Sequence, residues 1–254
     1  MSITRLDISL ERYEIGLSGA IPVREDWSEA AMDRGIVEFV ALFSGIVFKY
    51  GGRIVHGCHP TFTPVILRQA RLQAGARPRR PVTLVMSELW AQSLNPEDIA
   101  GMTDIAEFIV TKKIGDKGPE DSESRNGSLR AMRRVLIHAQ NVTVAVGGMT
   151  HRGDGFAPGL TEEIDLARTR GLPRFLIGGL GGQAQDLSRS IQPSSLNNSL
   201  SDEKNRILFS TNDVASCVNV LFEHLAGSEA LKRSLDHREA TVDEDPTQYI
   251  LRAM

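Results

Sequence analysis

Residues 142–183 read VTVAVGGMTHRGDGFAPGLTEEIDLARTRGLPRFLIGGLGGQ, and this stretch decides the fold. Val142–Val146 is a short apolar run of strand length that stops at Gly147-Gly148. A helical pattern then opens on Thr161-Glu162-Glu163. A second apolar run, Arg174–Ile177, ends in Gly178-Gly179-Leu180-Gly181-Gly182. Strand, glycines, helix, strand, glycines is the grammar of a parallel sheet with crossover helices. Glycine lets a backbone come close to a phosphate or a ribose, and the helix start that follows offers free N–H groups and positive potential.

Working outward, the same alternation recurs. Tyr13–Leu17 reads as a strand stopping at Ser18-Gly19, and a helix runs from about Trp27 to Tyr50 with Ile36, Phe39, Val40, Phe43 and Val47 on its apolar face. Gly51-Gly52 ends it as a C-terminal cap. Arg53–His56 is the next strand, followed by Gly57-Cys58-His59-Pro60 and a helix over Pro64–Gln73, and Pro81–Met86 is a third strand. A short helix near Asp104–Phe108, an edge strand at Ile109–Lys112 and a mobile surface loop from Gly115 to Gly127 are expected next. Ser128 then caps a helix reaching Gln140. Gln192–Asn205, rich in serine and asparagine, reads as a long connection, and a last helix runs from Asn212-Asp213 to about Ala226. The expected fold class is therefore α/β: a Rossmann-like open, mainly parallel sheet with helices on both faces. It forms a single nucleotide-binding domain over 1–254, with a core of about 12–226 and a C-terminal tail over 227–254 that is polar and irregular until Tyr249–Met254.

Bulk composition narrows the function. The 254 residues are 41% hydrophobic and 24% charged, which suits one large globular domain. A net charge of -3 and an isoelectric point near 6.1 argue against a nucleic-acid partner. The basic cluster Arg68, Arg71, Arg77, Arg79 and Arg80 reads as a solvated helix end and loop. Cys58 and Cys217 are far apart and fit neither a disulfide framework nor a zinc site. The N-terminus lacks the apolar core of a signal peptide, and no apolar run spans a bilayer, so a cytoplasmic protein without membrane contact is expected.

Four strand ends deliver small or polar groups to ligand. The first is Ser18-Gly19-Ala20-Ile21-Pro22. The second is Gly52 with His56, Gly57 and His59, where the histidines either contact a ribose or phosphate or satisfy loop backbone; metal is not expected, since no carboxylate or further ligand accompanies them. The third is Gly147, Gly148, Gly159, Thr161, Glu162 and Glu163. Acidic residues in a first turn are favoured by the helix dipole alone. Helical spacing nevertheless places Glu163 with Leu166 and Ala167 on the packing face, near the pocket, with Glu162 turned about 100° away. A carboxylate there binds ribose hydroxyls or attacks an anomeric carbon. The fourth is Gly179, Gly181 and Gly182, read as a loop that a ligand approaches closely.

Taken in order, Ser18–Pro22, Gly51-Gly52, His56-Gly57 with His59-Pro60, Gly147-Gly148, Pro158–Glu163 and Gly178–Gly182 resemble the SLOG superfamily, nearest to its TIR- and PNP-associating branch (TPALS). The resemblance extends over about Tyr13–Ala226. It implies kinship with the LOG enzymes and the DprA proteins, and a place in bacterial antiviral defence through nucleotide signalling. Gly159 and Glu163 align with the last glycine and the glutamate of the LOG motif PGGxGTxxE, whose PGG and GT pairs this chain lacks. Glu163 also matches the nucleophile of nucleoside 2-deoxyribosyltransferases, with Asp165 in place of their usual glycine. Two readings follow. One is a sensor that binds a nucleotide or NAD derivative, without further cofactor, as a homo-oligomer with a separate effector protein. The other is an N-glycosidase or deoxyribosyltransferase using Glu163, with Glu162, Asp154 or His56 as acid.

Overall fold

The computed structural model describes residues 8–22, 30–149, 158–236 and 246–253. Its centre is one seven-stranded sheet in the order β6-β5-β1-β2-β3-β4-β7. The strands are β1 (Glu14–Ala20), β2 (Arg53–His56), β3 (Val82–Ser87), β4 (Ala106–Thr111), β5 (Val142–Gly147), β6 (Arg174–Ile177) and β7 (Ile250–Ala253). All pairings are parallel except β4 with β7. The expected α/β sheet is thus present, and its chain order reverses between β1 and β5, where open sheets of this kind bind ligands.

Helices cover both faces. α1 (Ala30–Lys49), α2 (Thr63–Gln73) and α9 (Val214–Gly227) share one core with Ile15, Leu17, Val144, Val146 and Phe175. The opposite face carries α5 (Ser122–His138), α6 (Gly159–Thr169) and α7 (Gly182–Ser190), packed on Val55, Val85, Ala145 and Leu176. Side chains alternate across a strand, so Gly16 and Ser18 of β1 face α5 and α6 whereas Ile15 and Leu17 face α1. Short helices α3 (Glu88–Ala91) and α4 (Pro96–Ala100) follow β3. α8 (Asp202–Ser210) precedes α9, and α10 (Glu229–Asp236) follows it.

Several expectations are corrected. β1 does not stop at Ser18 but pairs with β5 as far as Ala20, and the Val146 carbonyl stands where a Cβ of Gly19 would be. No helix occupies Asp104–Phe108. Asn95-Pro96 starts a helix earlier, Asn95 accepting from the Glu97 amide, and alternation then makes 106–111 a strand. That strand is not an edge, because β7 pairs along it. α5 begins at Ser122, where the Asp121 carboxylate caps the Ser124 amide. Ser128 instead lies inside the helix and accepts the Ile114 amide at 2.9 Å. The second half of the expected 115–127 loop is therefore helix. Within the expected 192–205 connection, Ser201 caps α8 by accepting from the Lys204 amide.

Candidate functional site

The carboxyl ends of β1 and β5 flank the reversal point. Above them α6 starts at Gly159, and its buried stripe Leu160, Ile164 and Ala167 fixes its rotation on the sheet. That rotation brings Glu162 and Glu163 up on either side of Arg133, which α5 lowers from beside its own stripe of Ala131, Met132, Val135 and Leu136. Arg133 Nη1 donates to Glu162 Oε2 at 2.5 Å, and its Nε lies 3.7 Å from Glu163 Oε1. Arg130 adds a looser contact of 3.7 Å to Glu162. Glu162 does not face solvent: the two glutamate side chains keep 15% and 14% of their exposure, and the guanidinium only 7%. A single planar cation spans the 100° between neighbouring helical positions. Gly159 leaves it room, since a Cβ there would lie 2.4 Å from Arg133 Nη2.

The electrostatics single out Glu163. Burial pushes its carboxyl above the ordinary glutamate range; Arg133 pulls back, the Ser18 hydroxyl facing it pulls back further, and Glu162 adds to the rise. Ser18 Oγ and Arg133 Nε are both buried and both turned on Glu163, at distances that close no geometric hydrogen bond among the described residues. Buried polar groups are satisfied in most proteins, so this loosely closed trio of Ser18, Arg133 and Glu163 is the candidate for contact with a ligand.

The remaining sequence candidates divide. His56 is buried on the other face of the sheet, toward Phe62. Its Nδ1–H donates to the Leu17 carbonyl at 2.9 Å and its Nε2 accepts the His59 amide at 3.2 Å, so both nitrogens serve loop backbone. Burial lowers its pKa to about 4, leaving it neutral. His59 bonds the Thr61 hydroxyl at 2.8 Å, and burial lowers its pKa as well. A Cβ added at Gly57 would only reach ordinary contact, 3.7 Å, with Met132 and Leu136. Gly52 precedes β2 and so lies at the amino edge, opposite the site, where a Cβ would strike Val47. Thr161 accepts from Gln183 Nε2 at 3.1 Å, joining the starts of α6 and α7.

The glycine loops are closed by the chain itself. A Cβ on Gly179 would lie 1.9 Å from the Thr211 carbonyl oxygen, and one on Gly182 would lie 2.6 Å from the Gly147 carbonyl carbon. Gly181 is buried with positive φ. The Gly148 amide donates to Ala20 at 2.7 Å, and the Gln183 amide donates to Gly148 at 3.1 Å. These glycines do admit a close backbone approach, but the approaching backbone is the protein's own. Asp154 lies outside the described residues. The residue missed from sequence is Arg133, whose signal was an arginine bordering an apolar helical stripe.

Among the described residues no trio of His, Cys, Asp and Glu side chains is grouped to hold a metal, and no helix is long and apolar enough to cross a membrane. Compared with solved structures, the chain is similar to TM1055, an X-ray structure of a structural-genomics target. The two are 16% identical, the match covers 82% of this chain and 98% of that one, and the TM-score is 0.46. No curated protein matches. A family model described as SLOG cluster2 matches residues 84–219, more than half of the chain. It spans Arg133, Gly159, Glu162, Glu163 and both glycine loops, and it supports the SLOG superfamily that the motifs resemble. The chain, a nucleotide-related Rossmann-like module, belongs to the SLOG cluster2 family.

Proposed function

We propose that this protein binds a nucleotide or NAD-derived molecule at the carboxyl ends of β1 and β5 and acts as a sensor in an antiviral signalling system. The single observation that carries the binding site is the Ser18–Arg133–Glu163 cluster, buried at the point where the strand order reverses, with no geometric hydrogen bond closed at Ser18 Oγ or Arg133 Nε among the described residues. Glu163 holds the sugar. The phosphate side falls to the start of α6, where the helix dipole is positive. Membership of the SLOG family supports the nucleotide, and the resemblance of the motifs supports the signalling role and a separate effector.

A second reading, cleavage of an N-glycosidic bond, is favoured by one feature: Glu163 is a buried carboxyl raised in pKa with a cation 3.7 Å away. Such a group attacks or stabilises an anomeric carbon. Glu162, bonded to Arg133, is engaged elsewhere, so the proton for the leaving base would come from another group.

Incubation with a panel of nucleotides, NAD and cyclic ADP-ribose isomers, followed by chromatography, separates the two. A sensor retains its ligand intact, and Glu163→Gln weakens retention. Released base that disappears in Glu163→Gln replaces the sensor with an enzyme. Failure to retain or cleave any member of the panel overturns both.

A further inference from the structure

We infer that a second copy of this chain docks on the exposed ridge of α1, the two helices packing antiparallel about a two-fold axis. The surface lies on the opposite face of the sheet from α5 and α6, and its role does not depend on what the pocket holds.

α1 is the middle helix of its layer, in contact with α2 and with α9. Its inner stripe is buried in the core. On its outer side Glu38, Leu42, Gly45 and Lys49 recur every three or four residues and so form one ridge. Glu38, Leu42 and Lys49 are exposed, and Gly45 is half-buried. A large apolar side chain at the centre of a solvent-facing ridge is unusual among its charged neighbours, and Leu42 keeps 45% of its exposure. Beside it the surface dips at Gly45, where a Cβ would lie 3.0 Å from Gln69 Oε1 of α2. Leu72 stands three positions after Gln69, on the same side of α2, and keeps 63% of its exposure. The charges of the ridge are also unspent. The Glu38 side chain makes no ion pair or hydrogen bond among the described residues, and Lys49 rests 5.7 Å over the Tyr50 ring without a carboxylate.

The order of these four residues selects the occupant. Leu42 and Gly45 sit symmetrically about the peptide joining Phe43 and Ser44, and so do Glu38 and Lys49. An antiparallel copy of α1 centred on that peptide therefore sets Leu42 over the partner's Gly45 and Glu38 level with the partner's Lys49, each contact occurring twice. One patch supplies both the knob and the hole, and both signs of charge, which is what a two-fold interface requires. Gly45 lets the helices approach closely, and Leu72 widens the apolar contact on the α2 side. Leu42 supplies the strength. The ion pairs, exposed at the rim, fix register rather than affinity.

The test is sedimentation velocity of the full chain over a concentration series. The wild type sediments as a dimer of the 27.9 kDa chain that dissociates on dilution, and Leu42→Asp is a monomer with an unchanged far-ultraviolet spectrum. Glu38→Lys and Lys49→Glu each set like charges together at two places and weaken the dimer by about tenfold or more. Combined, they exchange the signs and restore it. A wild type that stays monomeric at every concentration overturns the inference. A dimer untouched by Leu42→Asp uses another surface and overturns it too, and a double charge variant no stronger than its singles refutes the antiparallel register. Should Leu42→Asp fail to fold, the charge exchange at two exposed positions still decides.

Discussion

At the scale of single residues, Glu163 is held in a buried position at a cost to stability. Its carboxyl is raised in pKa chiefly by burial, so ionising it is harder in the folded chain than in the unfolded one. A group raised in this way favours the fold below the ordinary glutamate range, and that contribution is lost as pH rises through the folded value. Glutamine does not titrate. Glu163→Gln is therefore expected to melt a few degrees higher than the wild type at pH 8, the size of about 1 kcal/mol in a chain of this length, with the gap closing toward pH 4.5. Thermal melts of both proteins from pH 4.5 to 8 check it; a variant less stable at pH 8 would refute the burial account. The orientation of Glu163 was legible because helical spacing is local: Leu166 and Ala167 reveal which way it points. The role of Arg133 was not, because it depends on how α5 lies against α6, and nothing in its own neighbourhood reports that. His56 was visible as a candidate, but sequence left its two roles open, and the bonds to Leu17 and His59 choose the structural one.

At the scale of elements, the glycine runs were legible as sites of close backbone approach and illegible as to what approaches. A glycine records a missing side chain and does not name its neighbour. This separates two alanine substitutions. Gly179→Ala drives a methyl onto the Thr211 carbonyl, a backbone atom that cannot step aside, and is expected to destabilise by about 1–3 kcal/mol with no selective effect on ligand. Gly159→Ala meets only the end of the Arg133 side chain. It is expected to leave the melting temperature nearly unchanged while weakening nucleotide binding, because the guanidinium is pushed off Glu163. Melting curves beside binding titrations distinguish them, and identical behaviour of the two variants would show that the loops share one role. Element boundaries failed where polar capping residues resemble linker. Asp121 and Ser201 each start a helix that their serine-rich and charged surroundings disguise.

At the scale of the whole molecule, strand–helix alternation made the parallel sheet legible, since each crossover is local. The sealing of its far edge was not, because β7 pairs with β4 across some 140 residues of chain, from numbering. Tyr249, just before β7, takes a hydrogen bond from Arg134 at 3.0 Å, so the segment is fastened to α5 as well as to β4. Deleting residues 246–254 is expected to lower the melting temperature and, by baring the β4 edge, to promote self-association at high concentration. Melting curves and size-exclusion chromatography over a concentration series check both, and an unchanged elution profile would mean the edge is protected by other means. The seam between Gly147, Gly148 and Gly182 carries a different consequence. There the end of β5 and the start of α7 are joined backbone to backbone, without side chains between them, and hydrogen bonds from Gly148 to Ala20 and from Gln183 to Gly148 lock the junction. The conformational entropy of that floor is surrendered when the chain folds. An arriving molecule finds it already ordered, and the strength of its binding reflects the contacts it makes rather than the disorder it must first suppress.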